Sequence, residues 1–299
     1  MLTISKPLSA GQARSYHAEE FANGRDNYYT QGKQIVGEWL GRLAEEWGLK
    51  GEVRDEQFHR LSEGQHPISG ERLVRHQSPR EYVNEQGEKI KTMEHRAGWD
   101  ATFSAPKSVS LTALVGSDDR VREAHRESVS VALREMERFV QARLGSNFPA
   151  ETTGKWVAAR FEHDSSRPVD GYAAPQLHTH VVFFNVTRTE SGDSRALQPR
   201  ELYKSQQYAT AIYRSELASR LKDIGYEVER GRSGQPEIKG YSAEYLEASS
   251  PRRRQIEEHL ARTNQRGAGA AQIAAHQTRE RKQATSHEEM QQKHRDLAR

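Results

Sequence analysis

Pro175-Gln176-Leu177-His178-Thr179-His180-Val181-Val182-Phe183-Phe184-Asn185 is the stretch on which the reading of this 299-residue chain turns. Val181, Val182, Phe183 and Phe184 are β-branched or aromatic, and Pro175 and the polar residues 185–188 bound them at strand length, so the spacing predicts a buried strand. Side chains alternate faces along a strand, which puts His178 and His180 on one face about 7 Å apart. Upstream, Lys155-Trp156-Val157-Ala158-Ala159-Arg160-Phe161 is a second apolar run ending in Glu162, His163 and Asp164. The turn-rich loop Ser165-Ser166-Arg167-Pro168-Val169-Asp170-Gly171-Tyr172 separates the two runs. If they pair as an antiparallel hairpin, His163 falls opposite His178.

Three neutral imidazoles on one face form a suitable shell for a divalent transition ion, with positions left open for water or an oxyanion. An isolated His-x-His equally describes a pair of hydrogen-bonded core histidines, and His163 is what shifts the balance toward a metal. With no cysteine in the chain, an ion has only His, Asp or Glu to bind, and a thiolate nucleophile or disulfide frame is excluded.

The length allows one large domain or two small ones. A hydrophobic fraction of 34% with 29% charged residues predicts that part of the chain is extended or loosely packed. No run approaches the ~20 apolar residues of a membrane span, and Met1-Leu2-Thr3-Ile4-Ser5-Lys6 is not a signal peptide, so membrane insertion is not expected and the expected location is cytoplasmic. Net charge is only +3, but from Pro251 onward 11 Lys and Arg face 6 Asp and Glu. That excess suits a phosphate backbone or solvated helices equally well.

Leu2-Thr3-Ile4 reads as a strand, and Ser9 with Gln12 as a capping box opening a helix that holds Tyr16. The adjacent pair Tyr28-Tyr29 sits in a turn-rich segment. Residues 38–47 repeat Trp39, Leu40, Leu43, Ala44 and Trp47 at helical spacing, which predicts an amphipathic helix, and residues 55–61 a shorter one. Ala97 to Ser104 alternates as a strand with Asp100, Thr102 and Ser104 on one face. An acid there is either the acceptor for a ligand imidazole or a phenol proton, or a polar-face residue of an edge strand. Pro106 opens a helix whose first turn, with Lys107 and Ser108, is a natural place for a phosphate. Residues 118–144 predict one long helix, 198–224 another, and 226–230 with 237–240 a closing hairpin, beyond which polar helices follow. The order of elements is an α+β pattern. Arg75, Lys107, Arg160 and Lys204 are candidate contacts for single-stranded nucleic acid.

Together these motifs resemble the conjugative relaxase domains of the MobF type, within the HUH endonucleases. Tyr16, the pair Tyr28-Tyr29, Trp99-Asp100-Ala101-Thr102-Phe103-Ser104-Ala105-Pro106-Lys107-Ser108-Val109-Ser110, Arg160-Phe161-Glu162-His163 and Pro175-Gln176-Leu177-His178-Thr179-His180 carry the resemblance, in that order, across residues 1–245. It implies a central antiparallel sheet of about five strands flanked by helices on both sides, and His163, His178 and His180 as ligands of one divalent metal ion such as Mg, Mn or Zn. Tyr16 is then the primary nucleophile, Tyr28 and Tyr29 serve the termination step, and Asp100 orients a ligand histidine or helps deprotonate the tyrosine. The implied activity is nicking of one strand at an origin of transfer through a 5′-phosphotyrosyl intermediate. The implied partners are origin DNA as a hairpin plus single strand, accessory relaxosome proteins and a type IV secretion coupling protein. Residues 246–299 would be a polar helical tail or linker toward a downstream helicase. The sequence departs from relatives with two tyrosine pairs, because Tyr16 is followed by His17.

Three other readings stay open on residues alone. One is a three-histidine phosphodiesterase using activated water, another a rolling-circle replication initiator of the same superfamily, and the third a non-catalytic DNA-binding module.

Overall fold

The computed structural model describes residues 1–16, 37–75, 81–83, 89–91, 95–145, 147–278 and 287–297. Its centre is an antiparallel sheet built from β1 (Leu2–Ile4), β2 (Leu8–Ser9), β3 (Glu38–Leu40), β4 (Arg96–Ser104), β5 (Ala158–Ser165) and β6 (Pro175–Phe184). The strand order is β1-β4-β6-β5-β3, and β2 also pairs with β4. The expected hairpin of the two apolar runs is present, with His178 opposite His163 and Val182 opposite Ala159. On its other side β6 pairs with β4, which sets His180 against Thr102 and Val182 against Asp100.

A strand flanked on both edges and covered on both faces reads as a continuous apolar run, and the second half of β6, Val181 to Phe184, is of this kind. One face carries Leu177, Thr179, Val181 and Phe183 beside Trp99, Ala101 and Phe103. The helices α4 (Lys107–Leu114), α5 (Asp119–Glu137) and α6 (Arg200–Asp223) cover it. Phe183 lies between two tryptophans, stacked on Trp99 at 5.5 Å and on Trp156 at 5.4 Å between ring centroids. Truncating such a ring to alanine costs about 3–5 kcal/mol.

The opposite face carries His178, His180, Val182 and Phe184. Its cover is α1 (Ala10–Tyr16), α2 (Arg42–Glu46) and α3 (Asp55–Ser62), through Ala13, Leu43, Phe58 and Leu61. The capping box that opens α1 is formed, with Gln12 N–H donating to Ser9 Oγ at 3.1 Å and Ser9 N–H to Gln12 Oε1 at 2.9 Å.

Some elements differ from expectation. Residues 38–47 are not one helix: residues 38–40 are strand β3, and α2 starts only after Gly41. Gly41 has φ +101°, and a Cβ there would sit 2.4 Å from the Trp156 carbonyl oxygen, so the chain turns where only glycine fits. The helix expected over 118–144 stops at Glu137, whose carboxylate is taken by the backbone N–H groups of Arg42 and Trp156. Asp100 is on an interior strand, since β4 lies between β1 and β6. Among the described residues the polar segment after 245 is helical, and part of it packs on the rest of the chain. It holds α7 (Ala243–Ala248), α8 (Pro251–Arg262), α9 (Ala268–Gln277) and α10 (His287–Leu297). In α10, Met290 and His294 are buried, and Ala173 N–H reaches Met290 Sδ at 3.2 Å, which docks α10 on the loop between β5 and β6.

Candidate metal centre

Antiparallel pairing and the two-residue period bring three imidazoles into one triangle. His163 from β5 and His178 and His180 from β6 have ring centroids 5.1, 5.1 and 5.0 Å apart. His163 is buried and the two β6 histidines are half-buried, at the edge of the apolar cluster that contains Phe161, Val182 and Phe184.

Two hydrogen bonds choose the tautomers. His180 Nδ1–H donates to Asp100 Oδ2 at 2.8 Å, and His178 Nδ1–H donates to the Gln176 carbonyl at 2.8 Å. With Nδ1 protonated, each ring presents its Nε2 lone pair, the arrangement a metal-binding histidine needs. Thr102 Oγ1 donates to Asp100 Oδ2 at 3.2 Å, which steadies the carboxylate in turn. Ser5 Oγ accepts the Asp100 backbone N–H at 2.9 Å and ties this point of β4 to the start of the chain.

Three clustered imidazoles are the kind of donor set that a transition-metal ion takes. Among the described residues no group of three His, Cys, Asp or Glu side chains is placed to hold a metal ion as it stands, so the case for an ion rests on donor chemistry and on how close the three rings lie. An ion bound to three imidazole nitrogens at ~2.1 Å lies ~3.2 Å from each ring centroid, so tetrahedral coordination puts the centroids about 5.2 Å apart. The observed triangle meets that separation on all three sides.

The remaining sequence-derived residues divide sharply. Tyr16 closes α1, a helix that packs on the imidazole side of the sheet through Ala13, while its side chain lies outside the described residues. Tyr28 and Tyr29 also lie outside the described residues. Arg75 is exposed and follows Val74, which belongs to the core on the imidazole side. Lys204 is exposed on α6, on the far side of the sheet, and pairs with Glu201 at 2.8 Å.

Arg160 and Lys107 do not offer themselves to nucleic acid. Arg160 projects from β5 away from the histidines, is 8% exposed, and is held by Glu38 and by Ser130 Oγ. Lys107 Nζ turns inward and donates to the Pro175 carbonyl at 2.7 Å. Burial pushes its pKa down to about 7, against a partial upward pull from Glu237. The phosphate site expected at the start of α4 is filled by the protein itself, because Ser108 N–H and Oγ both donate to Glu237 Oε2. Glu237 comes from the hairpin of β7 (Val228–Arg230) and β8 (Pro236–Ile238), and its carboxylate satisfies the helix end that an anion would otherwise take.

A model of the TrwC relaxase family matches residues 10–299. The chain belongs to the TrwC relaxase family. It is 38% identical over 263 residues to the multifunctional conjugation protein TraI of Escherichia coli, and 36% identical to the TraI of strain K12. Each alignment covers 84% of this chain and 14% of the relative, so the chain spans about a seventh of the length of the curated relatives it matches. Among solved structures, the conjugative relaxase TrwC in complex with oriT DNA in a metal-bound form is 34% identical with a TM-score of 0.80, covering 100% of this chain and 97% of the other. A copper-bound TrwC complex with oriT DNA gives a TM-score of 0.82 at 33% identity over the same coverage. TrwC with a 27-mer DNA comprising the recognition hairpin and the cleavage site gives 0.77 at 32%. The antiparallel sheet with helices on both faces is thus the architecture of this relaxase family.

Sequence reasoning missed what holds this relaxase-family site from outside. Tyr172, in the β5–β6 loop, places its hydroxyl 2.7 Å from His294 Nδ1 of α10. Met290 and His294 are spaced i,i+4 in a polar stretch, a periodic signal for a docking face. The Ser108–Glu237 contact joins residues 129 positions apart, and no local pattern announces it.

Proposed function

We propose that this chain is a strand-nicking and strand-transferring relaxase module. It would bind origin-of-transfer DNA as a hairpin plus the adjoining single strand and exchange one phosphodiester for a 5′-phosphotyrosyl link. The observation that carries the reading is the His163–His178–His180 triangle backed by Asp100, on the side of the sheet where α1 ends at Tyr16. The TrwC complexes support it, since one holds oriT DNA with bound metal and another a 27-mer DNA comprising the recognition hairpin and the cleavage site.

In this reading the Nε2 atoms of His163, His178 and His180 hold one divalent ion. When bound, that ion polarises non-bridging oxygens of the scissile phosphate and offsets the charge that builds up in the transition state. Asp100 keeps the His180 ring turned inward and makes it a better donor through the charge-assisted Nδ1–H bond. The Tyr16 phenolic oxygen attacks phosphorus, the P–O3′ bond breaks, and the departing 3′-oxygen takes up a proton. A phenol of pKa ~10 is about 0.1% ionised at pH 7, so Tyr16 must lose its proton to a neighbouring base as it attacks. One ester replaces another, so the link can be resealed without ATP. Tyr28 or Tyr29 would take the second transfer. Of the four basic residues, Arg75 is the one whose exposure and side of the sheet suit a backbone contact. Accessory relaxosome proteins and a type IV coupling protein complete the proposed assembly, in the cytoplasm of a donor cell.

The reading is tested by cutting a labelled single-stranded origin oligonucleotide with wild type and His163→Ala, with and without chelator. Metal-dependent cutting that is lost in His163→Ala is expected. Cutting that survives both chelator and the substitution would remove the metal centre from the mechanism.

A further inference from the structure

Behind the histidine face, three polar side chains cross the apolar half of the molecule. His125, in the middle of α5, is fully buried among Val121, Ala124 and Val129. Its Nδ1 lies 2.8 Å from the Tyr213 hydroxyl on α6, and its Nε2 lies 2.9 Å from Thr179 Oγ1 on β6. Tyr213 and Thr179 are each 1% exposed. The chain of contacts therefore ends on the single residue that separates His178 from His180.

A neutral imidazole has one N–H and one lone pair, so it meets both hydroxyls by donating to one and accepting from the other. Burial keeps His125 in that neutral form, its pKa pushed down to about 3, and burial also pushes the Tyr213 phenol up. Such a chain is an expensive way to fill a core. Apolar groups of the same shape are commonly neutral or stabilising by comparison, because nothing polar has to be desolvated. Leu177, Val181 and Phe183, the neighbours of Thr179 on this face, are all apolar and buried, and valine has the shape of threonine.

What the polar chain adds is direction. One hydrogen bond of restricted geometry holds β6 at residue 179 from one side, from an imidazole that a second bond fixes to Tyr213, while the residues before and after Thr179 project from the other side. A small roll of the strand at Thr179 swings both imidazoles together.

We propose that His125, backed by Tyr213, is a positioning residue for the metal centre: it pins β6 at Thr179 from the far side of the sheet and so sets where the His178 and His180 rings stand relative to His163. It acts through the strand and not by contact with ion or DNA. The inference rests on the three-histidine reading above.

The test uses the full chain in metal-free form, titrated with Co²⁺ by calorimetry and by visible absorption, with urea unfolding run in parallel. Thr179→Val and His125→Leu should each weaken Co²⁺ binding roughly tenfold, as loss of an outer partner of a metal site does, and should alter the absorption band. His125→Gln, whose amide reaches the Nε2 position and keeps the bond to Thr179, should bind within about threefold of wild type. The double variant His125→Leu with Thr179→Val should regain part of the stability lost in His125→Leu, the Tyr213 hydroxyl still lacking its imidazole partner, without regaining affinity. Variants that bind Co²⁺ as wild type does, with only the unfolding midpoint moved, would overturn the proposal, as would affinity that recovers in the double variant. A wild type that binds no Co²⁺, or binding indifferent to His163→Ala, would overturn the metal-centre reading and this inference with it.

Discussion

Asp100→Asn separates what the site does from what holds the fold. The Asp100 carboxylate accepts His180 Nδ1–H at 2.8 Å, with side-chain exposures of 10% for Asp100 and 14% for His180. Asparagine can keep the contact through its carbonyl oxygen but loses the charge. Hydrogen bonds to charged groups are worth about 1.5–3 kcal/mol and neutral ones about 0.5–1.5, so the exchange weakens the support of His180 by roughly 1–1.5 kcal/mol. Passed to the ion, that is about a tenfold loss of affinity, the low end of the range for lost outer partners of metal ligands. The metal-free protein should respond in the opposite sense. A nearly buried carboxylate is costly to desolvate, so Asp100→Asn should unfold at the same or a higher urea concentration than wild type without metal. Competition titration against a coloured chelator gives the affinity, and urea unfolding with and without ion gives the stability. Binding within twofold of wild type would refute the account of Asp100, whatever the stability.

Gly41→Ala should cost at least about 2 kcal/mol in urea unfolding, because the turn at φ +101° puts the new Cβ 2.4 Å from the Trp156 carbonyl oxygen; a loss below about 0.5 kcal/mol would contradict the turn described between β3 and α2. For His125, whose folded pKa is about 3 against 6.5 unfolded, the unfolded chain binds the extra proton between those values. Its contribution to stability is therefore complete above pH 6.5 and shrinks on acidification toward pH 3, by roughly 1.4 kcal/mol per pH unit inside the window. Urea midpoints measured from pH 7 to pH 4 should fall, and less steeply in the double variant lacking both His125 and Thr179.

How much could be read beforehand followed the range of the interaction. The two apolar runs around a turn-rich loop sufficed for the β5–β6 hairpin, and the period of two then put His163 opposite His178, because strand geometry leaves little freedom once a pair is aligned. Asp100 was visible as an acid in an apolar strand, but the order of strands in the sheet, which decides that β4 is interior, is a long-range property. The setting of Arg160 was hidden for a similar reason. Its neighbours in sequence do not announce Glu38 and Ser130, which meet it only after folding. Lys107 and Ser108 were correctly located at a helix start, yet the anion there is the side chain of Glu237. In residues 38–47 the apolar spacing satisfied a helix, and the clash a Cβ at Gly41 would make with Trp156 sets the break. The Tyr213–His125–Thr179 chain joins α5, α6 and β6 and left no local trace.

The most direct measurement is to incubate wild type and Tyr16→Phe with a divalent ion and origin oligonucleotides labelled at either end, then resolve the products under denaturing conditions. The account predicts a protein–DNA band carrying the 5′ end of the cut in wild type and no band in Tyr16→Phe. Cutting without a covalent band in either protein would contradict it and favour attack by water. A band that persists in Tyr16→Phe would move the nucleophile to Tyr28 or Tyr29.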